Sequence, residues 1–283
     1  MISYKISNND IEDGKIPEKI LNLITKEVNK LDISDCYDLT NLPENLPEGL
    51  LEINLYECRN LICLPEKLPS SLLKLNLSKC GKLTTLPQVL PIGLEEINLS
   101  DCKNFKTLPQ KLPIFLKTLF LSECRKLESL PVELNKDMKK LDLSGCSGLS
   151  ALPNLPSCLK SLDLSGCSGL SALPNLPSGL KRLILSGWSN LNSLPEKLPE
   201  DLYELDLSNC KNLITSPNIP NNVGILNFSD CFNLTALPSL PNDLEMLNLS
   251  GCFSLEHLPN LPPIRFFFIF LDVITYHLNQ LLN

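Results

Sequence analysis

Twelve cysteines and two histidines are the residues of this 283-residue chain best suited to covalent or metal chemistry. Ten of the cysteines are evenly placed: Cys36, Cys58, Cys80, Cys102, Cys124, Cys146, Cys167, Cys210, Cys231 and Cys252. Trp188 stands in the one remaining place, and every interval is 21 or 22 residues. Zinc sites draw on close pairs such as C-x-x-C, and the chain has none. A nucleophilic cysteine needs a neighbouring base or cation to hold it as thiolate, and two histidines cannot serve ten equivalent thiols. Disulfide scaffolds are short and irregular. The spacing therefore predicts packing, since a free cysteine behaves as a small apolar group. Cys63, in the Leu61–Leu64 segment of its unit, takes the same reading. Cys158 is incidental, standing where the sister copy has Gly179.

The elements that carry these thiols are repeats. Each unit reads approximately L-x-x-L-x-L-S-x-C-x-x-L-x-x-L-P-x-(x)-L-P, and eleven units follow one another. Length varies only in the proline arm. The two prolines are four apart in most 22-residue units (Pro65 and Pro69, Pro195 and Pro199) and three apart in the shorter ones (Pro153 and Pro156, Pro238 and Pro241). The unit after Cys124 has Pro131 and no second proline. The L-x-L arm alternates apolar and polar residues, as a strand does: Leu75 and Leu77 face one way, and Lys74, Asn76 and Ser78 the other. Proline excludes the other arm from a central strand or a regular helix, so extended backbone and turns are expected there. A single unit cannot bury its leucines, but stacked units can. Eleven strands about 4.8 Å apart give a ribbon on the order of 50 Å long.

The unit "LxxLxLSxCxxLxxLPxxLP" resembles the leucine-rich repeat, over about residues 28 to 264. Its doubled "LP" arm is similar to bacterial effector repeats, those of the outer-protein-M type and of the invasion-plasmid-antigen-H ubiquitin ligases. The cysteine place is similar to that of plant immune-receptor repeats. The resemblance implies an α/β-type solenoid, mostly β: a horseshoe with a parallel sheet on its concave face and an extended, turn-rich convex side. It also implies that the residue at the cysteine place turns inward. The ligases carry a catalytic C-x-D motif in a separate helical domain. Cys36-Tyr37-Asp38 matches that motif by chance, because Cys36 is in step with the ladder and only about twenty residues follow the repeats.

Function in such a solenoid is expected on the outward strand positions. The residue between the two strand leucines is Asp32, Asn54, Asn76, Asn98, Phe120, Asp142, Asp163, Ile184, Asp206, Asn227 and Asn248 in turn, and the next outward residue is serine in all but one unit (Tyr56). This polar column keeps an exposed sheet wet. Its two interruptions, Phe120 and Ile184, are expected to face solvent. Nearby strand starts are basic: Lys117, Lys139, Lys140, Lys160, Lys181 and Arg182. The ends are acidic: Asp32, Asp35, Glu52 and Glu57 early, Glu204, Asp206, Asp230 and Glu245 late. Exposed aromatics and arginine anchor interfaces, and positive charge steers an acidic partner. The expected partner-binding residues are thus Phe120, Lys139, Lys140, Asp142, Lys160, Asp163, Lys181, Arg182, Ile184 and Trp188. Two simpler readings stand beside this one: the lysines guard against aggregation, and Trp188 is a core or edge ring.

Three segments are expected. Residues 1–27 form an N-terminal cap, with Ile2, Tyr4 and Ile6 alternating as a strand and Pro17 opening a helix whose Ile20, Leu21, Ile24 and Val28 share a face. Residues 28–264 form the solenoid. Residues 265–283, with "FFFIF", form an apolar C-terminal cap, as a twelfth strand or as a helix. A net charge of −7 argues against nucleic acid. No run reaches the roughly 18 apolar residues of a membrane span, and "MISYKISNND" lacks the apolar core of a secretory signal. The expectation is a non-enzymatic scaffold without cofactor or metal. It would bind an acidic host protein, in the cytoplasm or in a host cell's cytosol after dedicated secretion. The alternative is the recognition arm of a ubiquitin-ligase system that lacks its own catalytic domain.

Overall fold

The computed structural model describes residues 2–25, 27–189, 191 and 194–257. The expected C-terminal cap at 265–283 lies outside them. One parallel sheet of twelve strands holds the described chain together, each strand beside its sequence neighbours. β1 (Ile2–Lys5) precedes a single helical turn, α1 (Glu18–Leu21), and β2 (Val28–Asp32). The remaining strands have three residues each: β3 (Glu52–Asn54), β4 (Lys74–Asn76), β5 (Glu96–Asn98), β6 (Thr118–Phe120), β7 (Lys140–Asp142), β8 (Ser161–Asp163), β9 (Arg182–Ile184), β10 (Glu204–Asp206), β11 (Ile225–Asn227) and β12 (Met246–Asn248).

Register follows the repeat. Leu119 sits opposite Ile97 and Leu141, and Asp142 lies between Phe120 and Asp163. The inward leucines of every unit join one continuous core with the ladder cysteines. Each coil covers the next, which is how a unit too small to fold alone becomes stable. At the N-terminal end, β1 pairs with β2, and Ile6, Ile16, Ile24 and Val28 are buried. The helix is one turn long, shorter than its apolar periodicity suggests.

The proline arm is built of turns. The carbonyl of the second proline accepts the N–H three residues on, as from Leu72 to Pro69 (3.1 Å) and Leu180 to Pro177 (3.1 Å). Asn135 takes the missing proline's place: its carbonyl accepts the Met138 N–H, and its Nδ2 donates to the carbonyls of Pro113, Ile114 and Leu116. A side-chain amide therefore ties down a turn that proline would otherwise stiffen.

Candidate protein-binding surface

Nine of the eleven coils turn off the sheet in the same way: the Asp or Asn that ends the strand accepts the N–H of the residue two ahead, while the strands ending in Phe120 and Ile184 have no such side chain. Asn76 Oδ1 takes the Ser78 N–H at 3.0 Å, and Asp206 Oδ1 that of Ser208 at 2.8 Å. Asp and Asn favour such turns because their short side chains mimic a backbone carbonyl. The residue before each cysteine place then adopts the left-handed conformation. It is Gly145, Gly166, Gly187 or Gly251 in four coils and Asp35, Glu57, Lys79, Asp101, Glu123, Asn209 or Asp230 in the other seven. The polar column is thus first a set of turn formers and only second a wet surface. Neighbouring members also bond to each other, Asn76 Nδ2 donating to Asn54 Oδ1 at 2.8 Å.

The thiols point the other way. All ten ladder cysteines are fully buried, and each donates to a backbone carbonyl of the preceding coil. Cys58 reaches Ile33 at 3.1 Å and Cys231 reaches Leu207 at 3.0 Å. Burial pushes the Cys58 and Cys102 thiols up to about 12. Cys36 is likewise buried and pushed up to about 12, chiefly by burial and then by Asp10, so it does not supply a thiolate. Cys63 departs from its expected role. It is exposed and bonds to Asn41 Oδ1 at 3.1 Å, because it lies on the outer side of a short parallel bridge to Asn41. No group of three or more potential metal ligands occurs among the described residues.

Two expected contact residues are corrected. Ile184 keeps its place in the outward column between Asp163 and Asp206, yet it is buried. Arg182 on the same strand reaches Glu204 (2.8 Å) and Asp163 (3.9 Å), the carboxylates of the two flanking strands. Trp188 is 1% exposed, and its Nε1 donates to the Leu170 carbonyl at 3.1 Å. With its one polar atom satisfied inside, the indole packs as core and offers nothing to a partner.

The other expected residues gather over β6 to β9. Phe120 is half-buried at the outward end of β6, with Asp142 and Asp163 following in register. Asp142 holds the Ser144 N–H and hydroxyl, and Asp163 those of Ser165. Burial first, and then the Asp142 charge, raise the Asp163 carboxyl above its ordinary range, against the bonds from Ser165. Lys117, Lys139, Lys160 and Lys181 stand in one column at the strand-entry rim, joined by backbone bonds (Lys139 N to Lys117 O 2.7 Å, Lys160 N to Lys139 O 2.8 Å, Lys181 N to Lys160 O 2.9 Å). Lys117 pairs with Glu95 at 2.8 Å, and Lys160 Nζ donates to the Gly179 carbonyl at 2.9 Å. Lys139, Lys140 and Lys181 are exposed and reach no carboxylate among the described residues.

Some of this surface goes unmentioned in the sequence reading. Tyr203 continues the lysine column, lies against Gly224 and donates to Glu245 Oε2 at 2.9 Å. The signal was its place directly after Leu202, equivalent to Lys181 after Leu180. Ile92, Ile114 and Phe115 are exposed apolar residues just after the second prolines, and the pair of isoleucines 22 residues apart announced them. Asn60 and Asn104, two places after their cysteines, bond the preceding coil's carbonyls at Tyr37 and Gly81, both at 2.7 Å.

No family model matches the sequence, and no curated protein matches it. Solved structures do. YopM from Yersinia enterocolitica WA-314 is 28% identical with a TM-score of 0.57, over 86% of this chain and 58% of that one. YopM from Yersinia pestis, a leucine-rich effector protein, is 25% identical with a TM-score of 0.52, over 95% of this chain and 86% of that one. The chain thus spans little more than half the length of the first of these structures. With its in-register strands, buried leucine ladder and doubled "LP" turns, the chain is a leucine-rich-repeat protein resembling those of bacterial effectors.

Proposed function

We propose that this protein is a non-enzymatic recognition scaffold that binds a protein partner on the outward face of its sheet, over β6 to β9. One observation carries the reading. In a chain of net charge −7, Lys139, Lys140 and Lys181 crowd one short stretch of open sheet with no carboxylate answering them among the described residues. Isolated surface cations cost little, but a same-sign cluster repels itself and is relieved by an acidic partner. Phe120 adds a half-buried aromatic beside the cluster, of the kind that anchors interfaces. The bonded thiols and the buried indole leave the described interior without a group aimed at a substrate. Likeness to the YopM structures favours an effector acting inside a host cell, where its free thiols stay reduced.

The test is affinity capture from host-cell lysate with the whole chain, read by mass spectrometry beside a Thr118→Trp/Ser161→Trp variant. Both positions are outward and half-buried at strand starts, so indoles there obstruct the face without entering the core. A protein retained by the native chain and lost by the variant supports the reading. Equal capture by both overturns it.

A further inference from the structure

The lysine column has a defined length and bounded ends. It starts where Lys117 meets Glu95 and stops at Tyr203, whose hydroxyl is committed to Glu245. Between these ends Lys117, Lys139, Lys160 and Lys181 occupy four consecutive coils, one per strand. Strand spacing sets their repeat at about 4.8 Å, so the column spans about 14 Å.

That repeat discriminates among acidic ligands. On an α-helix, carboxylates at i, i+3, i+7 and i+10 share a face and span about 15 Å, since each residue rises about 1.5 Å. On an extended strand, four same-side carboxylates span about 20 Å and slip by a whole coil over the column. The helix keeps step and the strand does not. Ribbon width agrees: three strand residues cover about 10 Å, close to the diameter of one helix. The second column sharpens the choice. Asp142 and Asp163 border the lysines on the sheet side, and both are fixed by serine bonds. They repel a polyphosphate over the middle two rungs, whereas a helix can place a lysine or arginine opposite them.

We infer that the strand-entry rim over β6 to β9 receives an α-helix of the partner protein, lying across the strands with an acidic stripe at i, i+3, i+7 and i+10 against Lys117, Lys139, Lys160 and Lys181. The inference rests on the proposed use of this face for protein binding. Lys117 must exchange Glu95 for the ligand, which costs little because both side chains of that pair are about half exposed.

The experiment uses the full chain and fluorescently labelled probes, read by anisotropy. One is an alanine-based helical peptide with glutamates at i, i+3, i+7 and i+10. The second has the same composition with its glutamates spread round the helix. The third is an extended peptide alternating glutamate with threonine, and the fourth a short oligothymidylate. The in-register peptide should bind on the order of tenfold more tightly than the other two peptides, as expected when four exposed pairs form together. Lys139→Glu/Lys181→Glu should remove that preference, and Lys74→Glu, outside the column, should not. Equal affinity for the three peptides, or tighter binding of the oligothymidylate, overturns the inference. If capture by the native chain is still lost on Thr118→Trp/Ser161→Trp, the inference alone falls. If capture is unchanged as well, the binding face itself is refuted.

Discussion

The Cys102 thiol donates a hydrogen bond to the carbonyl oxygen of Leu77, 3.0 Å away in the preceding coil. The same oxygen accepts the Cys80 N–H at 3.1 Å. One carbonyl therefore binds its own coil's turn and the next coil's side chain, which welds neighbouring units at the point where the chain leaves the sheet. Thiol reagents should react slowly with the ladder cysteines until unfolding, while exposed Cys63 reacts at once; rapid native labelling of all twelve would contradict this. The pH dependence has a definite sign. An unfolded thiol titrates near 8.5, whereas burial holds Cys102 and Cys167 up to about 12. The folded state keeps protons that the unfolded state loses, so stability is whole below about pH 8.5 and falls as the pH rises toward 12. Each of these two thiols removes at most about 1.4 kcal/mol per pH unit in that window. Denaturant melts at pH 8 and pH 10 should show a steep loss, and Cys102→Ala should make it shallower.

Asp163 has the same relation to its proton, but in the acid range. Its raised carboxyl makes the ionised form unfavourable in the folded state, so the protein is more stable when this group is neutral. Asp163→Asn keeps the oxygen that accepts from Ser165 and discards the charge beside Asp142. It should raise stability at pH 7, with the gain shrinking as acid protonates the native carboxyl. A constant gain from pH 7 to pH 3 would show that the charge is not its source.

Glycines in the twin coils carry different burdens. Gly166 has φ +64 with no side chain pressing on it, so alanine there costs only the left-handed backbone, about 1 kcal/mol. Gly169 has ordinary backbone, but a Cβ would stand 2.5 Å from the Leu149 carbonyl oxygen and 2.6 Å from that of Ser147. Gly169→Ala must push two coils apart and should cost more, about 1–3 kcal/mol. Thermal melts of the two variants should fall in that order.

Trp188 is the sole tryptophan, so its emission reports one place. Its burial predicts blue-shifted fluorescence with little quenching by iodide. Trp188→Cys would restore the ladder's pattern but leave an indole-sized void, at a cost of about 3–5 kcal/mol. A variant as stable as the native chain would mean that the coils close over the gap.

Leucine spacing made the solenoid, its strand order and the packing of the thiols legible, because a repeat that buries one face leaves a single way to stack. Side chains whose fate depends on neighbouring coils were not legible in the same way. Ile184 has the register of an exposed residue between Asp163 and Asp206, yet it is buried. Lys79 and Glu57 give no hint in their type that they adopt a glycine-like conformation. That conformation is imposed by the bonded turn before them and the sheet on either side. Trp188 shows the same limit, since its partner at Leu170 lies in another unit.

The near-identical phrases beginning at Leu141 and Leu162 have a genetic consequence. Excising residues 146–166 would join Gly145 to Cys167 and regenerate the original phrase at the seam, so a crossover between the two copies would subtract one coil without a misfit. The excised stretch contains Lys160 and Asp163. Such an exchange would leave the fold whole and shorten the cationic rim by one rung, making the span of this surface a trait that recombination can adjust in steps.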